Sequence, residues 1–581
     1  MPIPRSRLSY LIAASLLVVV VGAVLLGRRV LRAVDAVPSM QQAVAVTVSA
    51  PGRSAEEVEA EVTRTIETQL ARVSDLCAIR TFSTQDAVFA MCELRPSVDA
   101  LAAVDRVRAS VVLEQLPKDV TVTVSRFSPG SELLRYAIAH DQLALLELRR
   151  RNDSELRPAI ERIAGVQSVE ICGVGEPVVQ VGLDPMRLSA FGLTVDGVRD
   201  AISRAIALPE QGEDAVGLRD LPLRTSNHGT PVKLSDVASV RIGTSPHRCA
   251  CALNGAPALC VMVRGADSAD GSGATAAQVR QVLTDWASKA AGVRLHVSTD
   301  DPLSAHTRVT QNLWAAGEFR RDQEAETARI VGRAVQSIAG NLTSVVRVGR
   351  YDGAAQTGLE PSGEAELWGV ETRVAAGWQP RMREVITRST PWVRTSPGGA
   401  ATAEAVVRGC DVADLARAAR AVRDAVAGVG GVQQALVLGA GQHAGLDVRI
   451  DRDKAAALGV SPMDIAQTLR VALQGEVLRG SLRAGEVRPA VRLSLAEVAS
   501  EPADLALVPL SGSSGNVVTI GQVTNIQRRA LPDPIVHVGG QRALLVRVWG
   551  EDQDRDAWLR AAQRAAQGVV LPAGCTLAWV K

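Results

Sequence analysis

The chain carries eight cysteines, and two of them flank a turn whose sequence fixes their spacing. Asn254 and Gly255 form a dipeptide typical of a two-residue hairpin turn, because both turn positions require positive φ. Such a hairpin places Cys249 opposite Cys260. The register therefore allows a disulfide between these two residues. The alternative is that both stay free thiols in a buried strand, where cysteine behaves as a small apolar residue.

His247, Cys249 and Cys251 stand at alternate positions and so share one face of a strand, which makes them weak candidate metal ligands. Three ligands spaced by ~6.5 Å along one strand cannot converge on one ion unless the strand bends. The sequence shows no evident fourth ligand, and its methionines are scattered. We therefore predict core packing for these residues, with no metal and no other cofactor.

Asp184 and Asp451 are the carboxylates most open to an acid–base interpretation. Each directly follows a predicted strand and precedes a predicted helix, where aspartate commonly caps the helix N-terminus. The seven histidines are dispersed, and neither a nucleophile elbow nor phosphate-loop spacing occurs. We therefore predict helix caps at both positions and no enzymatic activity.

The overall charge gives no sign of a nucleic-acid partner. Sixty-four basic and 62 acidic residues leave a formal charge of +2. A chain that binds nucleic acid through its phosphates usually concentrates basic residues in a patch or stripe. A nucleic-acid partner is therefore not expected.

Residues 8–27 form a stretch without any charged side chain, long enough to cross a bilayer once as a helix. Arginines stand on both sides of it, so charge alone does not set its orientation. A cleaved signal peptide is the alternative, but its apolar region would be unusually long. We predict a single N-terminal membrane anchor.

The two halves of the chain resemble each other at four segments in the same order, with an offset of about 265 residues for the first two and about 285 for the last two. VTVSAPGRSAEEVEAEVTRTIETQL (46–70) parallels residues 310–335, and the segment from Gly165 parallels the segment from Gly431. GTPVKLSDVASV (229–240) and NGAPALCVMVRG (254–265) parallel GNVVTIGQVTNI (515–526) and GGQRALLVRVWG (539–550). This conserved order predicts a duplicated architecture.

Hydrophobic periodicity predicts the elements that each half repeats. Val58, Val62, Ile66 and Leu70 form one apolar stripe of a helix. Residues 76–82 and 87–94 alternate as a hairpin, a second helix follows over 97–116, and a strand over 120–124. The unit is β-α-β-β-α-β, so the predicted class is α+β with duplicated ferredoxin-like subdomains.

Over most of its length the chain resembles the resistance–nodulation–division (RND) efflux transporters. The strand followed by APGRSAEEVEAEVTRTIE (50–67) looks like the first porter subdomain of that family. LDPMRLSAFGLTVDGVRDAI (183–202) resembles its second-subdomain signature, and IDRDKAAALGVSPMDIAQTL (450–469) is similar to the C-terminal counterpart. The order of the segments identifies the resemblance, which implies a periplasmic, oxidising surrounding for the cysteines.

The resemblance implies an N-terminal anchor at residues 1–35, followed by porter subdomains with docking-type insertions. In chain order we expect subdomain N1 at 36–128, N2 at 129–183 with 247–301, an abbreviated N docking insertion at 184–246, C1 at 302–400, C2 at 401–450 with 536–581, and the C docking insertion at 451–535.

The chain departs from the family where the membrane helices belong. RND permeases have twelve such helices and couple transport to protons through buried carboxylates and a lysine in the membrane. Here about ten residues, 301–310, lead from the first porter half into the second, and the sequence ends where an eighth helix would begin. Residues 8–27 contain no ionisable side chain, so they offer no proton relay.

We therefore predict an accessory or scaffold subunit of an efflux or export assembly, held by one span in the bacterial inner membrane with its bulk in the periplasm. Its expected partners are the inner membrane and either a homotrimer or an assembly with a full-length RND permease and a periplasmic adaptor. Only 26 residues separate Ile202 from Gly229, so the family's docking to an outer-membrane channel is in doubt. Two alternatives stay open, a periplasmic amphiphile- or lipid-binding module that uses the porter cleft, and a decayed transporter.

Overall fold

A computed structural model of the chain describes residues 43–50, 53–95, 98–127, 131–207, 217–225, 231–245, 249–265, 272–298, 306–315, 323–349, 362–398, 401–409, 411–440, 442–473, 475–478, 490–495, 502–512, 516–532, 534–550 and 554–580. Helices and strands are mixed along these residues, as the α+β class predicts. The predicted anchor at 1–35 and His247 lie outside them. Within the described part, no helix combines the length and the apolarity needed to cross a membrane.

The first unit follows the predicted order of elements. Its elements are β1 (Ala43–Ser49), α1 (Ala55–Val58), a π turn (Glu59–Thr63), α2 (Arg64–Leu70), β2 (Leu76–Thr84), β3 (Ala87–Leu94), α3 (Ala100–Ser110), a 3₁₀ turn (Leu113–Gln115) and β4 (Thr121–Phe127). Ser54 begins the first helix, because it forms a capping box with Glu57. The predicted stripe, Val58 to Leu70, is buried against the sheet.

The second unit is interrupted by an insertion. Its elements are β5 (Ser131–His140), α4 (Leu145–Arg151), a π turn (Asn152–Leu156), α5 (Arg157–Glu161) and β6 (Val166–Cys172), then β11 (Cys249–Leu253), β12 (Ala256–Gly265), α9 (Ser272–Lys289) and β13 (Val293–Ser298). The turn of the β11–β12 hairpin is Asn254–Gly255 at φ 50° and 75°, as predicted from the dipeptide.

The insertion of the first half is short. Its elements are β7 (Pro177–Leu183), α6 (Pro185–Ala190), α7 (Val195–Ala207), a 3₁₀ turn (Gly217–Asp220), β8 (Pro222–Thr225), β9 (Pro231–Lys233), α8 (Leu234–Val237) and β10 (Ala238–Thr244).

The second half repeats both units and the insertion. The third unit comprises β14 (His306–Ala315), α10 (Glu324–Ala339), β15 (Thr343–Gly349), β16 (Gly363–Glu371), a 3₁₀ turn (Thr372–Val374), α11 (Ala375–Ser389) and β17 (Val393–Pro397). The fourth comprises β18 (Ala401–Arg408), α12 (Val412–Ala427), β19 (Val432–Leu438), β26 (Ile535–Val538), β27 (Gln541–Gly550), α17 (Arg555–Gln567) and β28 (Thr576–Trp579). The second insertion comprises β20 (Gln442–Ile450), α13 (Arg452–Ala457), α14 (Pro462–Leu473), β21 (Glu476–Leu478), β22 (Ala490–Leu495), α15 (Pro502–Ala506), β23 (Pro509–Ser511), β24 (Val517–Thr519), α16 (Ile520–Val523) and β25 (Thr524–Pro532).

The two halves interlock through two nine-stranded sheets. The first sheet runs β28-β18-β27-β26-β2-β3-β1-β4, with β19 also on β27, so it joins the fourth unit to the first. The second runs β13-β5-β12-β11-β15-β16-β14-β17, with β6 also on β12, so it joins the second unit to the third. Each sheet therefore contains one unit from each half of the chain.

The two insertions share a hydrophobic core of their own. Strand β7 of the first insertion pairs with β10 and, in parallel, with β22 of the second. Leu188, Ile202, Ile465 and Leu493 are among the residues that fill the core between them. The insertions therefore form one body beside the two large sheets.

Two of the predicted domain boundaries fall too late in the chain. Residues 177–183 and 442–450 were expected at the ends of N2 and C2, but both strands leave those sheets and pair within the insertions. Gly173 and Gly439 end the preceding strands at φ 126° and 82°, a backbone turn that favours glycine. Strand periodicity does not reveal on which sheet the chain continues after such a turn.

Candidate functional site

Two equivalent strand pairs connect the halves of the chain, and we call them the first and second joints. The first joint is the pairing of β2 with β26, where Thr81 lies opposite His537. The second joint is the pairing of β15 with β11, where Val346 lies opposite Ala252. These joints hold the halves together along with the β7–β22 pair of the insertions. The charged and sulfur-bearing side chains described below lie at the joints.

A buried cluster of charged side chains lies on the helix side of the first joint. His537 contacts Glu59 through Nε2 at 2.8 Å and Glu67 through Nδ1 at 3.0 Å, and its side chain is only 4% exposed. Arg542 Nε donates to Glu59 at 2.7 Å, and the Thr81 hydroxyl donates to Glu67. With a carboxylate at each ring nitrogen, His537 is held as an imidazolium.

The charges in this cluster support one another. Burial alone lowers the pKa of His537, but the hydrogen bonds and negative charges of Glu59 and Glu67 outweigh it and raise that pKa to about 9. Burial alone raises the pKa of Glu59, but Arg542 and His537 outweigh it and lower that pKa to about 2. His537 and Glu59 are therefore both charged near neutral pH, and their contact ties β26 to the first helical segment.

A local irregularity of the helix brings these groups into the joint. Glu59 and Thr63 bound the π turn, and the Thr63 hydroxyl donates to the carbonyl of Val58 and contacts Ser83 Oγ at 2.7 Å. A π turn widens the helix by one residue and re-aims the side chains around it. Glu59 is buried at the start of this turn, where its carboxylate contacts both His537 and Arg542.

At the second joint, small and apolar residues occupy three of the corresponding positions. At the repeat offset, Glu67 and Thr81 correspond to Gly332 and Val346, and His537 corresponds to Ala252. Gly332 allows the close approach, since a Cβ there would lie 2.9 Å from the Cβ of Ala252. The ionic cluster is therefore a particular feature of the first joint and not a requirement of the fold.

Four buried cysteines lie on the opposite side of the second joint, and we call them the cysteine quartet. Cys172 is bonded to Cys249, and Cys251 is bonded to Cys260. The Cys249–Cys260 disulfide that the register allows is therefore not formed, and the alternative of two free thiols does not hold either. The turn register was predicted correctly, but β12 pairs with β11 only as far as Ala258 and then with β6, which brings Cys172 beside Cys249.

Two of the three weak candidate metal ligands are bonded to other cysteines in this structure. The sulfurs of Cys249 and Cys251 are each engaged in a disulfide, and His247 lies outside the described residues. Among the described residues, no group of three or more His, Cys, Asp or Glu side chains is placed to hold a metal ion. Cys172, which the sequence did not place near this strand, is the partner that spacing arguments missed.

The pairing predicts which thiol a single substitution releases. In Cys260→Ser, the free thiol is expected at Cys251, because Cys249 keeps its bond to Cys172. Alkylation of the denatured, unreduced variant followed by peptide mass spectrometry locates that thiol. Cys77 and Cys92, which are free in the structure, serve as the internal labelling control. Labelling at Cys249 instead would contradict the pairing.

The remaining candidate residues are structural. Asp184 accepts from the backbone amides of Met186 and Arg187, and Asp451 accepts from that of Lys454, so both cap helices as predicted. Cys77 lies at a bulge and is exposed, whereas Cys92 is buried opposite Ile79. Because burial disfavours its thiolate, the pKa of Cys92 is raised to about 12.

A cleft between the second and third units lies beside the quartet and is filled by ion pairs. Arg135 of β5 contacts Glu364 at 2.6 Å and Glu366 at 3.3 Å, both on β16. Arg347 also contacts Glu364 at 3.3 Å, and Arg308 contacts Glu366 at 3.1 Å. What remains open among these side chains is a cavity of about 20 Å³, room for roughly one water molecule.

The pKa values of Glu364 and Glu366 are shifted in opposite directions. Burial raises the pKa of Glu364, but the positive charges of Arg347 and Arg135 outweigh it and lower that pKa to about 2. For Glu366 burial prevails over the charges of Arg135 and Arg308, and its pKa is raised. Burial also lowers the pKa of His296, in the cavity wall, to about 4. Sequence analysis missed these residues because charged positions that alternate along a strand are typical of its solvent face.

This architecture is similar to that of known proteins. The model of the AcrB/AcrD/AcrF family, which belongs to the RND permeases, matches residues 6–304 and 383–581. A solved structure titled a heavy metal efflux pump superposes with a TM-score of 0.72 at 13% identity, covering 93% of this chain and 78% of that one, a likeness of fold alone. Multidrug resistance protein MdtC of Escherichia coli O1:K1 and of Escherichia fergusonii is 27% identical over 240 residues. That match covers 38% of this chain and spans only 23% of the length of those relatives. From the family match over more than half of its residues, the chain belongs to the AcrB/AcrD/AcrF family of RND permeases.

Proposed function

We propose that this chain is a porter-domain accessory or scaffold subunit of an efflux or export assembly, without a membrane proton relay between its halves. The observation that carries the proposal is the connection from β13, which ends at Ser298, to β14, which begins at His306. A single membrane-spanning helix needs about 20 residues. The intervening residues 299–305 are too few for one helix, so they cannot contain the central membrane block that the RND resemblance implies.

We infer that the four repeated units are ferredoxin-like porter subdomains. The strand orders β2-β3-β1-β4 and β15-β16-β14-β17 support this inference, because the first and third units follow one pattern. The second unit has the strand order β13-β5-β12, with β6 also on β12. The fourth unit has the order β28-β18-β27, with β19 also on β27, and both units follow the same pattern. Such subdomains bind and assemble, and we propose that role for the chain in place of catalysis.

We propose that residues 8–27 hold this body at the inner membrane, with the two sheets in the periplasm. Their length and lack of charge support a single span. The disulfides of the cysteine quartet support an oxidising compartment for the folded part.

The amphiphile-binding alternative has less support. A site for a drug-sized apolar ligand typically encloses about 300–1,000 Å³. The cleft at the second joint offers a cavity of about 20 Å³ lined by ion-paired side chains. A ligand would therefore have to separate Arg135 from both glutamates before it could enter. The decayed-transporter alternative also has less support, because the described units keep their strand orders in both halves.

The accessory role predicts a specific companion. The tagged full chain, purified from detergent-solubilised membranes of its source cells, is expected to carry a full-length RND permease or its adaptor in fixed stoichiometry, identified by cross-linking mass spectrometry. As a control, residues 1–35 are replaced by a cleavable signal peptide, which should release the chain from the membrane. Recovery of the intact chain with neither partner, as a monomer or homotrimer alone, would count against the proposal.

A further inference from the structure

The body formed by the two insertions, which we call the insertion body, is joined to the sheets at two necks. The first neck lies between β6 and β7 and between β10 and β11, so it leaves the second unit. The second neck lies between β19 and β20 and between β25 and β26, so it leaves the fourth unit. The repeat makes the two necks equivalent, and a difference between them is therefore not required by the fold.

A disulfide closes the first neck. Cys172 is the last residue of β6 and Cys249 is the first residue of β11, so the bond between them encloses the whole first insertion, with 77 residues between its ends in sequence. Beside the bond, the Gly173 amide donates to the carbonyl of Cys249 at 3.2 Å. A cross-link at both ends of a segment restricts the conformations that the segment can adopt.

Hydrogen bonds extend this closure towards the insertion. Arg149 of α4, which is only 3% exposed, donates from Nη1 to the Val174 carbonyl at 2.9 Å and pairs with Asp153 at 2.7 Å. The Ser245 amide donates to the Glu176 carbonyl at 2.7 Å, and the Glu176 amide donates to the Ser245 hydroxyl at 2.9 Å. Strand β7 then lies between β10 and β22 in a four-stranded sheet. The first neck is therefore bound to the second unit and across its own two segments.

The second neck is built as a two-stranded ribbon. Strands β20 and β25 pair over nine residue pairs, and neither has another strand partner in the part of the chain that the structure describes. Leu438 and Pro534 stand where the first neck has Cys172 and Cys249, so the disulfide has no counterpart at these positions. A two-stranded sheet is only marginally stable by itself.

The two ends of this ribbon are held differently. At the insertion end, Leu446, Ile450 and Ile526 pack against the core of the insertion body. Nearer the sheet, Arg529 lies 3.6 Å from Glu56 of the first unit, with the two side chains 52% and 45% exposed. Water and salt screen such an exposed ion pair, so it contributes little to rigidity.

We propose that the ribbon of β20 and β25 is a hinge, and that the Cys172–Cys249 disulfide fixes the insertion body to the second unit. The insertion body then keeps one orientation relative to the second sheet, and bending of the ribbon changes the angle of the first sheet to both. Trp314 of the second sheet packs against Trp549 of the first, with 5.7 Å between ring centres, and this contact keeps the angle small.

The proposal does not depend on the accessory role, because it concerns motion within a single chain. Its test measures distances between two nitroxide labels, carried on a non-canonical amino acid so that the native cysteines stay unchanged. One label replaces Ala466 of α14 in the insertion body. The other replaces Lys289, the last residue of α9 in the second unit, or Gln567, the last residue of the equivalent α17 in the fourth unit. All three positions are exposed.

Double electron–electron resonance of the detergent-solubilised full chain gives the distribution of each distance. We expect the Ala466–Gln567 distribution to be at least about twice as wide as the Ala466–Lys289 distribution, because only the first pair spans the hinge. Hydrogen exchange of the unlabelled chain is a second measurement, in which amides of β20 and β25 should exchange faster than those of β7 and β10. Equal widths, or the reverse order of exchange, would overturn the proposal.

Matched variants test the part played by the disulfide. Cys172→Ala with Cys249→Ala should widen the distribution between the insertion body and the second unit to about that across the hinge, and should speed exchange in β7 and β10. Cys251→Ala with Cys260→Ala removes the neighbouring disulfide, which joins two strands within the sheet, so both widths should stay as in the parent chain. No widening in the first variant, or equal widening in both, would show that the disulfide does not fix the insertion body.

Discussion

Replacing His537 with alanine is expected to lower the free energy of unfolding by about 3–5 kcal/mol, the usual effect of removing one partner from a buried ion cluster. Without the imidazolium, Glu67 loses its positive partner, and Glu59 keeps only Arg542. Both carboxylate side chains are less than one-tenth exposed, so water cannot replace the lost hydrogen bonds. Urea denaturation followed by circular dichroism measures the change.

The second joint supplies the control for this prediction. The triple variant Glu67→Ala, Thr81→Val and His537→Ala gives the first joint nearly the side chains that Gly332, Val346 and Ala252 provide at the other. It leaves Glu59 paired with Arg542, as in the parent chain. We expect the triple variant to be more stable than His537→Ala alone, because apolar replacement of a whole buried cluster is often neutral. A triple variant as unstable as the sum of its parts would show that the cluster acts as independent contacts.

The same cluster gives the protein a pH dependence with a definite sign. The pKa of His537 rises from 6.5 to about 9 on folding, so its contribution is complete below about 6.5 and disappears as the pH rises through 9. The pKa of Glu59 falls from 4.5 to about 2, so its contribution is present above about 4.5 and disappears as the pH falls through 2. The His537→Ala variant should therefore not show this loss of stability at alkaline pH. Denaturation curves of both chains at several pH values measure the difference.

Local features of the fold were predictable because neighbouring residues determine them. Asn254 and Gly255 adopt the positive φ values that their turn requires, and Asp184 and Asp451 accept the amides that a helix N-terminus leaves unpaired. These features depend on contacts only a few residues apart, which the sequence displays directly.

The joints were not predictable, because they pair strands from distant parts of the chain. His537 and Glu67 are separated by 470 residues, so no local spacing reveals their contact. The cysteine pairing was not predictable for a related reason. Strand β12 pairs with β11 over the first part of its length and with β6 over the rest. In both cases, tertiary strand order decides which side chains meet, and periodicity along one strand does not contain that order.

Replacing Arg135 with alanine is expected to destabilise the chain by about 3 kcal/mol or more, since it leaves two buried carboxyls without their shared cation. Arg135 lies 2.6 Å from Glu364 and 3.3 Å from Glu366, so its ion pairs cross from the second unit to the third. Arg264→Ala is the matched control, because that side chain is similarly buried but contacts Glu170 within its own unit. We expect it to lose less stability, because it removes the partner of one carboxylate and not of two.

The two variants should also differ in their response to acid. In the parent chain, the pKa of Glu364 is lowered to about 2, so its contribution to stability persists until the pH falls well below 4.5. Removal of Arg135 raises the pKa of Glu364 and raises that of Glu366 further, because burial then acts with one fewer opposing charge. Protonation becomes favourable, so the stability gap between Arg135→Ala and the parent should narrow from pH of about 7 to about 4. Adding Glu364→Gln and Glu366→Gln should close part of the gap at neutral pH, because it removes the negative charge that Arg135 no longer balances. A gap that stays constant with pH, with no rescue by the glutamines, would mean that Arg135 acts through packing of its side chain and not through its charge.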